Sequence, residues 1–307
     1  MFIGSLRIYS RESINWDEIY KADTALISKG WSAPVRIKQI NTSGWEDGAY
    51  ISPDNRTLFF SYINIDLLKL PEQVIIGPSR DKQNICSPSC GDFPRADVFY
   101  STKDALGNWQ EPVPHPLTIK YPVGGFVLAD HNIAYFHQEK NNGKKTDLYF
   151  AENKNGTWQR PKRLKKLNSG YNEDDPHILP TNDEIFFCSN RPGKLKGNNI
   201  FYSKKKDGKW AKPVMLPEPI NSNSNDMQPF VHGKYLYFSS DRDGKLKIYQ
   251  SAFSGGMWSE PIIVVESSFA VGEPTLTADG KYLYFIQIFK SEDNVVNPEI
   301  MRVERIN

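Results

Sequence analysis

The sequence predicts an all-β protein, a five-bladed β-propeller built from four-stranded blades. Aromatic residues make up 13% of the 307 residues, and aromatic side chains favour β-strands. The tetrapeptide W-x-x-P occurs five times, and two kinds of aromatic triplet recur between its copies in a constant order. Units of about 40–50 residues that contain four short strands each are typical of propeller blades.

The tryptophans define the blades. Five of the seven tryptophans begin a W-x-x-P segment: Trp31, Trp109, Trp158, Trp210 and Trp258. They are separated by 78, 49, 52 and 48 residues, and the return from the last to the first through the chain ends takes 80. This spacing predicts five blades, two of them enlarged by roughly 30 residues over the blade length typical of propellers. We expect the five tryptophans to pack the blades together.

The triplets mark the inner strands of each unit. The first kind is an aliphatic residue followed by two aromatic ones, the last of them phenylalanine. It predicts the second strand of each unit, at residues 58–60, 134–136, 185–187, 236–238 and 283–285. The second kind predicts the third strands, at residues 98–100, 148–150, 200–202, 248–250 and 300–302.

The last unit ends at its third strand, whereas the chain begins with a W-x-x-P that no strand precedes. We therefore expect residues 29–37 to supply the outer strand of the last blade, because closure of the ring protects edge strands that would otherwise pair with other molecules. The predicted organisation is an N-terminal arm over 1–28, one propeller domain over 29–307 and a blade insertion at about 62–97.

Three segments carry a family resemblance: residues 51–60, 238–244 and 273–285, with turns such as Ser52-Pro-Asp and Ala278-Asp-Gly. They resemble the WD40-like (PD40) repeat of TolB-type propellers. The resemblance implies a binding scaffold of the bacterial envelope, in the periplasm or outside the cell. A cytoplasmic location is the alternative, since the chain as given begins without a signal-peptide pattern. We expect a monomer.

Composition excludes several partners. A net charge of +2 gives no reason to expect nucleic-acid binding, and no apolar run is long enough for a transmembrane segment. Three cysteines cannot form a disulfide framework. Cys188 is expected to pack as a small apolar residue, while Cys86 and Cys90 could equally be a local disulfide or two thiols. No cofactor motif is present.

Candidate site residues lie where the innermost strands begin, because these strands line the central channel of a propeller. The five segments are residues 46–48, 122–124, 173–175, 226–228 and 271–273. All of them except 122–124 contain carboxylates. The ligand-binding candidates are these acids and two aromatic neighbours: Trp45, Glu46, Asp47, Tyr171, Glu173, Asp174, Asp175, Asp226 and Glu273.

Four interpretations of these acids remain open. The leading one is a non-enzymatic protein that binds a protein or glycan ligand at the channel mouth, since no catalytic motif is recognisable. The alternative is a glycan-active hydrolase, with Asp47, Asp175 and Glu273 as its carboxylates. A structural divalent cation in the channel, held by His177 with Asp174, is the third. The structural alternative is that the acids cap strands and pair with Arg191 and Arg242.

Overall fold

The prediction of a five-bladed propeller is confirmed: five antiparallel sheets follow one another along the chain. The computed structural model of the protein describes residues 14–42, 44–63, 97–117, 123–130, 132–140, 145–292 and 296–306. Most of the predicted insertion, with Cys86 and Cys90, lies outside these residues, as do residues 1–13 of the predicted N-terminal arm. No helix within these ranges is long and apolar enough to cross a membrane.

The blades share one strand order. Blade 1 contains β3 (Trp45–Ile51), β4 (Thr57–Ile63), β5 (Asp97–Thr102) and β6 (Val113–Pro114). Blade 2 contains β7 (Gly124–Asp130), β8 (Ile133–Lys140), β9 (Lys145–Lys154), β10 (Thr157–Trp158) and β11 (Lys162–Arg163). Blade 3 contains β12 (Glu173–Ile178), β13 (Glu184–Ser189), β14 (Asn199–Lys206), β15 (Lys209–Trp210) and β16 (Val214–Met215).

The last two blades take strands from the N-terminal region. Blade 4 contains β17 (Asp226–His232), β18 (Tyr235–Ser240), β19 (Lys247–Ser254), β20 (Met257–Trp258) and β21 (Ile262–Glu266), to which β1 (Leu26–Ile27) is added. Blade 5 contains β22 (Ala270–Leu276), β23 (Tyr282–Lys290) and β24 (Val296–Glu304), with β2 (Val35–Arg36) as its outer strand.

The predicted ring closure is thus present. Val35 pairs with Arg302, and Trp31 forms a further bridge with Arg305. The short helix α1 (Trp16–Ala22) precedes these strands and packs against β23. Both ends of the chain are therefore held in blades 4 and 5.

The second-strand triplets form the core, because their middle and flanking residues are almost fully inaccessible to water. Phe60, Phe136, Phe187, Phe238 and Phe285 all have 0% exposure. Trp158, Trp210 and Trp258 end the short strands β10, β15 and β20, which follow the third strand of their blades. All five repeat tryptophans are half-buried.

Three of the tryptophans contact the preceding blade. Trp109 lies edge-on to Tyr284 with a ring distance of 6.3 Å, and Trp158 lies 5.4 Å from His115. Trp210 lies edge-on to Tyr135 at 6.3 Å. Aromatic pairs in this geometry attract each other beyond the area that they bury, so these tryptophans join neighbouring blades as well as fill their own.

A buried ion pair holds the closing strand. Arg36 donates two hydrogen bonds to the Glu299 carboxylate, at 2.7 and 3.0 Å, and Glu299 has 0% exposure. Tyr20 of α1 donates a further hydrogen bond of 2.6 Å to Glu299, and the Arg36 guanidinium lies 4.1 Å from the centre of the Tyr20 ring. The helix, the closing strand and blade 5 therefore meet at one carboxylate.

We expect Arg36→Ala to lower the free energy of unfolding by about 3 kcal/mol, because it leaves a buried carboxylate without its cation. Lys38→Ala removes an exposed cation two residues away and should change stability by less than about 0.5 kcal/mol. Urea denaturation of both variants measures the difference. Equal effects of the two substitutions would show that Arg36 does not hold the closure.

Candidate functional site

The innermost strand of every blade contains a β-bulge at the same place. The strand register shifts after Asp47, Gly124, Asp174, Met227 and Gly272. In each blade the next residue has a positive φ: Gly48 (59°), Gly125 (56°), Asp175 (47°), Gln228 (54°) and Glu273 (57°). The segment of blade 2 therefore aligns one residue later than the sequence spacing indicates, with Val123–Gly125 in place of residues 122–124.

Three of these five positions carry large polar side chains. A non-glycine residue in the left-handed region costs on the order of 1–3 kcal/mol, and such residues cluster at functional sites. Asp175, Gln228 and Glu273 line the central channel together with the glycines of blades 1 and 2. We call the five bulge residues the bulge ring.

Gly125 leaves room for the site. A Cβ atom at this position would lie 3.0 Å from Nδ1 of His137 and 3.1 Å from Cα of Asp175. Any larger residue would therefore push His137 or Asp175 out of position. Because φ is also positive here, the position requires glycine.

Side chains of the second strands connect the bulge ring from blade to blade. The backbone N–H of Asp175 donates to Nδ1 of His137 in blade 2, at 3.3 Å. The backbone N–H of Glu273 donates to Oγ of Ser239 in blade 4, at 3.2 Å. The thiol of Cys188 in blade 3 makes the corresponding contact to blade 4, where it accepts a hydrogen bond from the backbone of Gln228.

Asp47, Asp175 and Glu273 converge on the channel, as the hydrolase hypothesis requires. The side chains of Asp47 and Glu273 interact with each other, and Trp45 interacts with Asp47. The side-chain amide of Gln228 donates a hydrogen bond to Oε1 of Glu273. We call Asp47, Asp175 and Glu273 the carboxyl cluster.

The carboxyl cluster holds its protons more tightly than free carboxylates do. Burial, together with the neighbouring carboxylates Asp174 and Asp47, raises the pKa of Asp175 to about 6. Burial and the charges of Asp175 and Asp47 raise the pKa of Glu273 well above its usual value. Burial also raises the pKa of Asp47.

Cations near the cluster are few. No lysine or arginine in the described ranges forms an ion pair with these three residues, whereas His137 lies 3.7 Å from Asp175 and 3.9 Å from Asp174. The Cys188 thiol is a further polar neighbour of the cluster, 3.5 Å from Oδ2 of Asp175. Cys188 is buried as expected, but it contacts the cluster rather than apolar groups alone.

The other predicted acids are enclosed in hydrogen bonds. Glu173 pairs with Arg191 at 2.8 Å and Asp226 pairs with Arg242 at 2.6 Å, as the structural alternative predicts. Each acid also accepts the backbone N–H of the residue four positions earlier, and Glu46 does so from Thr42 at 2.8 Å. These three carboxylates have 0% exposure and hold the start of their strands in place.

The remaining candidates are placed apart. Tyr171 is 48% exposed to solvent. His177 lies in the channel below the bulge ring, and burial lowers its pKa to about 3, so the imidazole is neutral. Asp174 lies beside His137 instead. Across the described residues, no group of three His, Cys, Asp or Glu side chains is arranged to hold a metal ion.

The channel below the ring is narrow. Its cavity has a volume of about 30 Å³ and is lined by Tyr50, Phe126, His177 and Phe230 among others. Pockets for whole small-molecule ligands measure roughly 300–1,000 Å³. The channel therefore admits a water molecule or one small group, and it has no room for a sugar ring.

Sequence reasoning found the carboxyl cluster but missed His137, Cys188 and Gln228. His137 and Cys188 stand opposite the residue before the bulge, paired with Gly124 and Asp174. Gln228 occupies the bulge position of blade 4 itself, whereas the sequence pattern points only to the acidic side chain of that segment, Asp226. Alignment of the five units would have found all three by position.

Comparison with known proteins places the fold. No protein-family model and no curated protein sequence matches the chain. A thermostable family-43 glycoside hydrolase superposes with a TM-score of 0.53 at 12% identity, over 89% of this chain and 93% of that one. A second glycoside hydrolase gives 0.53 at 11%, over 96% and 95%. A putative TolB from Agrobacterium tumefaciens gives 0.49 at 12%, over 92% and 91%.

We expect Asp175→Asn to stabilise the protein at pH 7.5 by up to about 3 kcal/mol, since a pKa shift of one unit corresponds to 1.4 kcal/mol. The folded pKa of about 6 exceeds the unfolded value of 3.8. The wild type therefore gains stability from proton binding below pH 4 and loses it as the pH rises to 6. Asparagine removes the charge and also tolerates positive φ.

Urea denaturation of both proteins between pH 3.5 and 7.5 measures this difference, which should grow with pH and be absent near pH 3.5. A difference that is the same at every pH would show that the backbone preference of asparagine, not the charge, is responsible.

Proposed function

We propose that this protein is a non-enzymatic binding propeller that receives a cationic group of a protein or peptide ligand at the channel mouth. The group is a lysine or arginine side chain or a free amino terminus. The observation that carries the proposal is the convergence of Asp47, Asp175 and Glu273 without a lysine or arginine partner among the described residues.

Electrostatics favour a cation here. The raised pKa values mean that the ionised form of the cluster is destabilised by burial and mutual repulsion. A positive charge placed among the three carboxyls relieves both effects, and its attraction is stronger in a partly desolvated recess than in water. Backbone strain at Asp175, Gln228 and Glu273 supports the same conclusion, because such strain persists where function requires a fixed geometry.

The shape of the site favours a single group at the end of a chain. The cavity below the ring, of about 30 Å³, accepts an ammonium head group but no bulky ligand. The rest of the ligand must then lie on the face of the propeller, which is how a protein partner would dock. From the resemblance to TolB-type repeats, we place the protein in the bacterial envelope as a monomer, which cell fractionation and light scattering test.

A peptide array tests the proposal, with each lysine or arginine sequence matched by its norleucine or citrulline counterpart. We expect binding only to the cationic members, weakened about tenfold or more in Asp47→Asn/Asp175→Asn, because buried charge pairs contribute more than exposed ones. Affinity should rise from pH 5 to pH 7.5 as Asp175, with its pKa of about 6, loses its proton.

The exposed Glu260→Gln is the matched control and should bind as the wild type does. Equal binding of the norleucine peptides, or full binding by the double variant, would contradict the proposal.

A glycan-active hydrolase remains the second candidate, because a carboxyl group with a raised pKa, as in Glu273, is what a general acid requires. One feature opposes it: the channel has no room for a sugar ring.

We expect no turnover of nitrophenyl furanosides or pyranosides by the wild type above the level of Glu273→Gln. Turnover that the wild type shows and both Glu273→Gln and Asp175→Asn lose would replace the binding function with a hydrolase.

A further inference from the structure

A second recess lies between blades 2 and 3, at the face opposite the carboxyl cluster. Strand β12 leaves the carboxyl cluster at Asp175 and ends at Ile178, and the turn that follows carries Asn182 to the other face. Asn182 lines this recess, which has a volume of about 610 Å³. This volume is within the range of small-ligand pockets. We call it the blade 2–3 groove.

One wall of the groove is aromatic and rigid. Tyr135 stacks on Phe150 with ring centres 6.0 Å apart and lies edge-on to Trp210 at 6.3 Å. The Tyr135 hydroxyl donates to Asn182 at 2.7 Å, and Lys205 donates to the Asn182 carbonyl at 2.6 Å. These bonds hold the wall before any ligand arrives, which lowers the entropic cost of binding.

The rim of the groove is basic. Five cationic residues and a single acid, Glu152, line it: Arg163, Lys165, Lys166, Lys205 and Lys209. Arg163 is neutralised by two 2.8 Å hydrogen bonds to Asp147. Lys165, Lys166 and Lys209 are exposed and form no ion pair with another described residue.

The neighbouring groove shows which of these features the repeat requires. Between blades 1 and 2, Phe59, Tyr100 and Trp158 occupy the places of Tyr135, Phe150 and Trp210 in a recess of about 320 Å³. Among the residues that the structure describes, no lysine lines that recess. The aromatic wall is thus part of the blade design, whereas the lysines belong to the blade 2–3 groove.

We propose that the blade 2–3 groove binds an acidic oligosaccharide, with sugar units that bear carboxylate or sulfate groups. The apolar C–H face of a pyranose ring can stack against the ring of Phe150, and the indole of Trp210, which stands at a steep angle to it, closes one side of the groove. Lys165, Lys166 and Lys209 are placed to pair with the acid groups as mobile point charges. The groove is independent of the carboxyl cluster, so this site stands whether or not the channel mouth binds a cation.

Isothermal titration tests the proposal with four probes: an oligogalacturonate, a heparin-derived oligosaccharide, a neutral cello-oligosaccharide and hexaglutamate. We expect binding of one or both acidic oligosaccharides, and the pair distinguishes carboxylate from sulfate. The neutral sugar and the peptide should bind at least about tenfold more weakly, since each lacks one of the two interactions.

Lys165→Gln/Lys166→Gln/Lys209→Gln should weaken the acidic oligosaccharide by about tenfold or more, because three exposed charge pairs are lost together. Lys196→Gln/Lys212→Gln/Lys234→Gln changes the net charge equally at exposed sites away from the groove and should bind normally. Phe150→Leu should weaken binding, whereas Tyr100→Leu in the neighbouring groove should not. Asp175→Asn should leave this binding unchanged.

Three results would overturn the site: no binding of either acidic oligosaccharide, equal losses in the two lysine triples, or hexaglutamate binding as tightly as the sugars. The second result means general attraction to a basic surface. The third means that the aromatic wall contributes nothing.

Discussion

The structure depends on how five strands satisfy their backbone groups around one axis. At the bulge ring the ladder of each innermost strand is interrupted, so the N–H of the bulge residue needs a partner outside the ladder. His137 and Ser239 supply that partner to the next blade. The same contacts that join the blades therefore orient Asp175 and Glu273 toward the channel, and the site is inseparable from the fold.

This coupling has an energetic cost at the functional site. Three non-glycine residues hold a left-handed conformation, and three carboxyls share a recess that raises their pKa values. The rest of the propeller offsets this cost through buried phenylalanines and through ion pairs such as that of Glu173 with Arg191. Buried acids thus occupy two kinds of environment: Glu173 and Asp226 are paired with arginines, whereas the carboxyl cluster has no lysine or arginine partner among the described residues.

The two ends of the channel axis differ in charge and shape. One face carries the carboxyl cluster over a narrow cavity, and the other carries the basic blade 2–3 groove with its aromatic wall. A propeller presents loops of every blade on both faces, so one repeat can support separate sites by changing a few turn residues. Lys165 and Lys166 are such a change, since the described lining of the groove between blades 1 and 2 has Pro116 and no lysine there.

By itself the sequence determined the number of blades, the packing tryptophans, the closing strand and the three residues of the carboxyl cluster. These follow from periodicity, because the same residue types recur at the same places in each unit. Only the tertiary structure decided that Glu46, Glu173 and Asp226 are buried in hydrogen bonds, and that His137, Cys188 and Gln228 lie at the candidate site. The physical reason is the bulge: one extra residue reverses which side of the strand faces the channel. Contacts between blades complete the cluster: His137 lies 38 residues before Asp175 along the chain, and Asp47 lies 226 residues before Glu273.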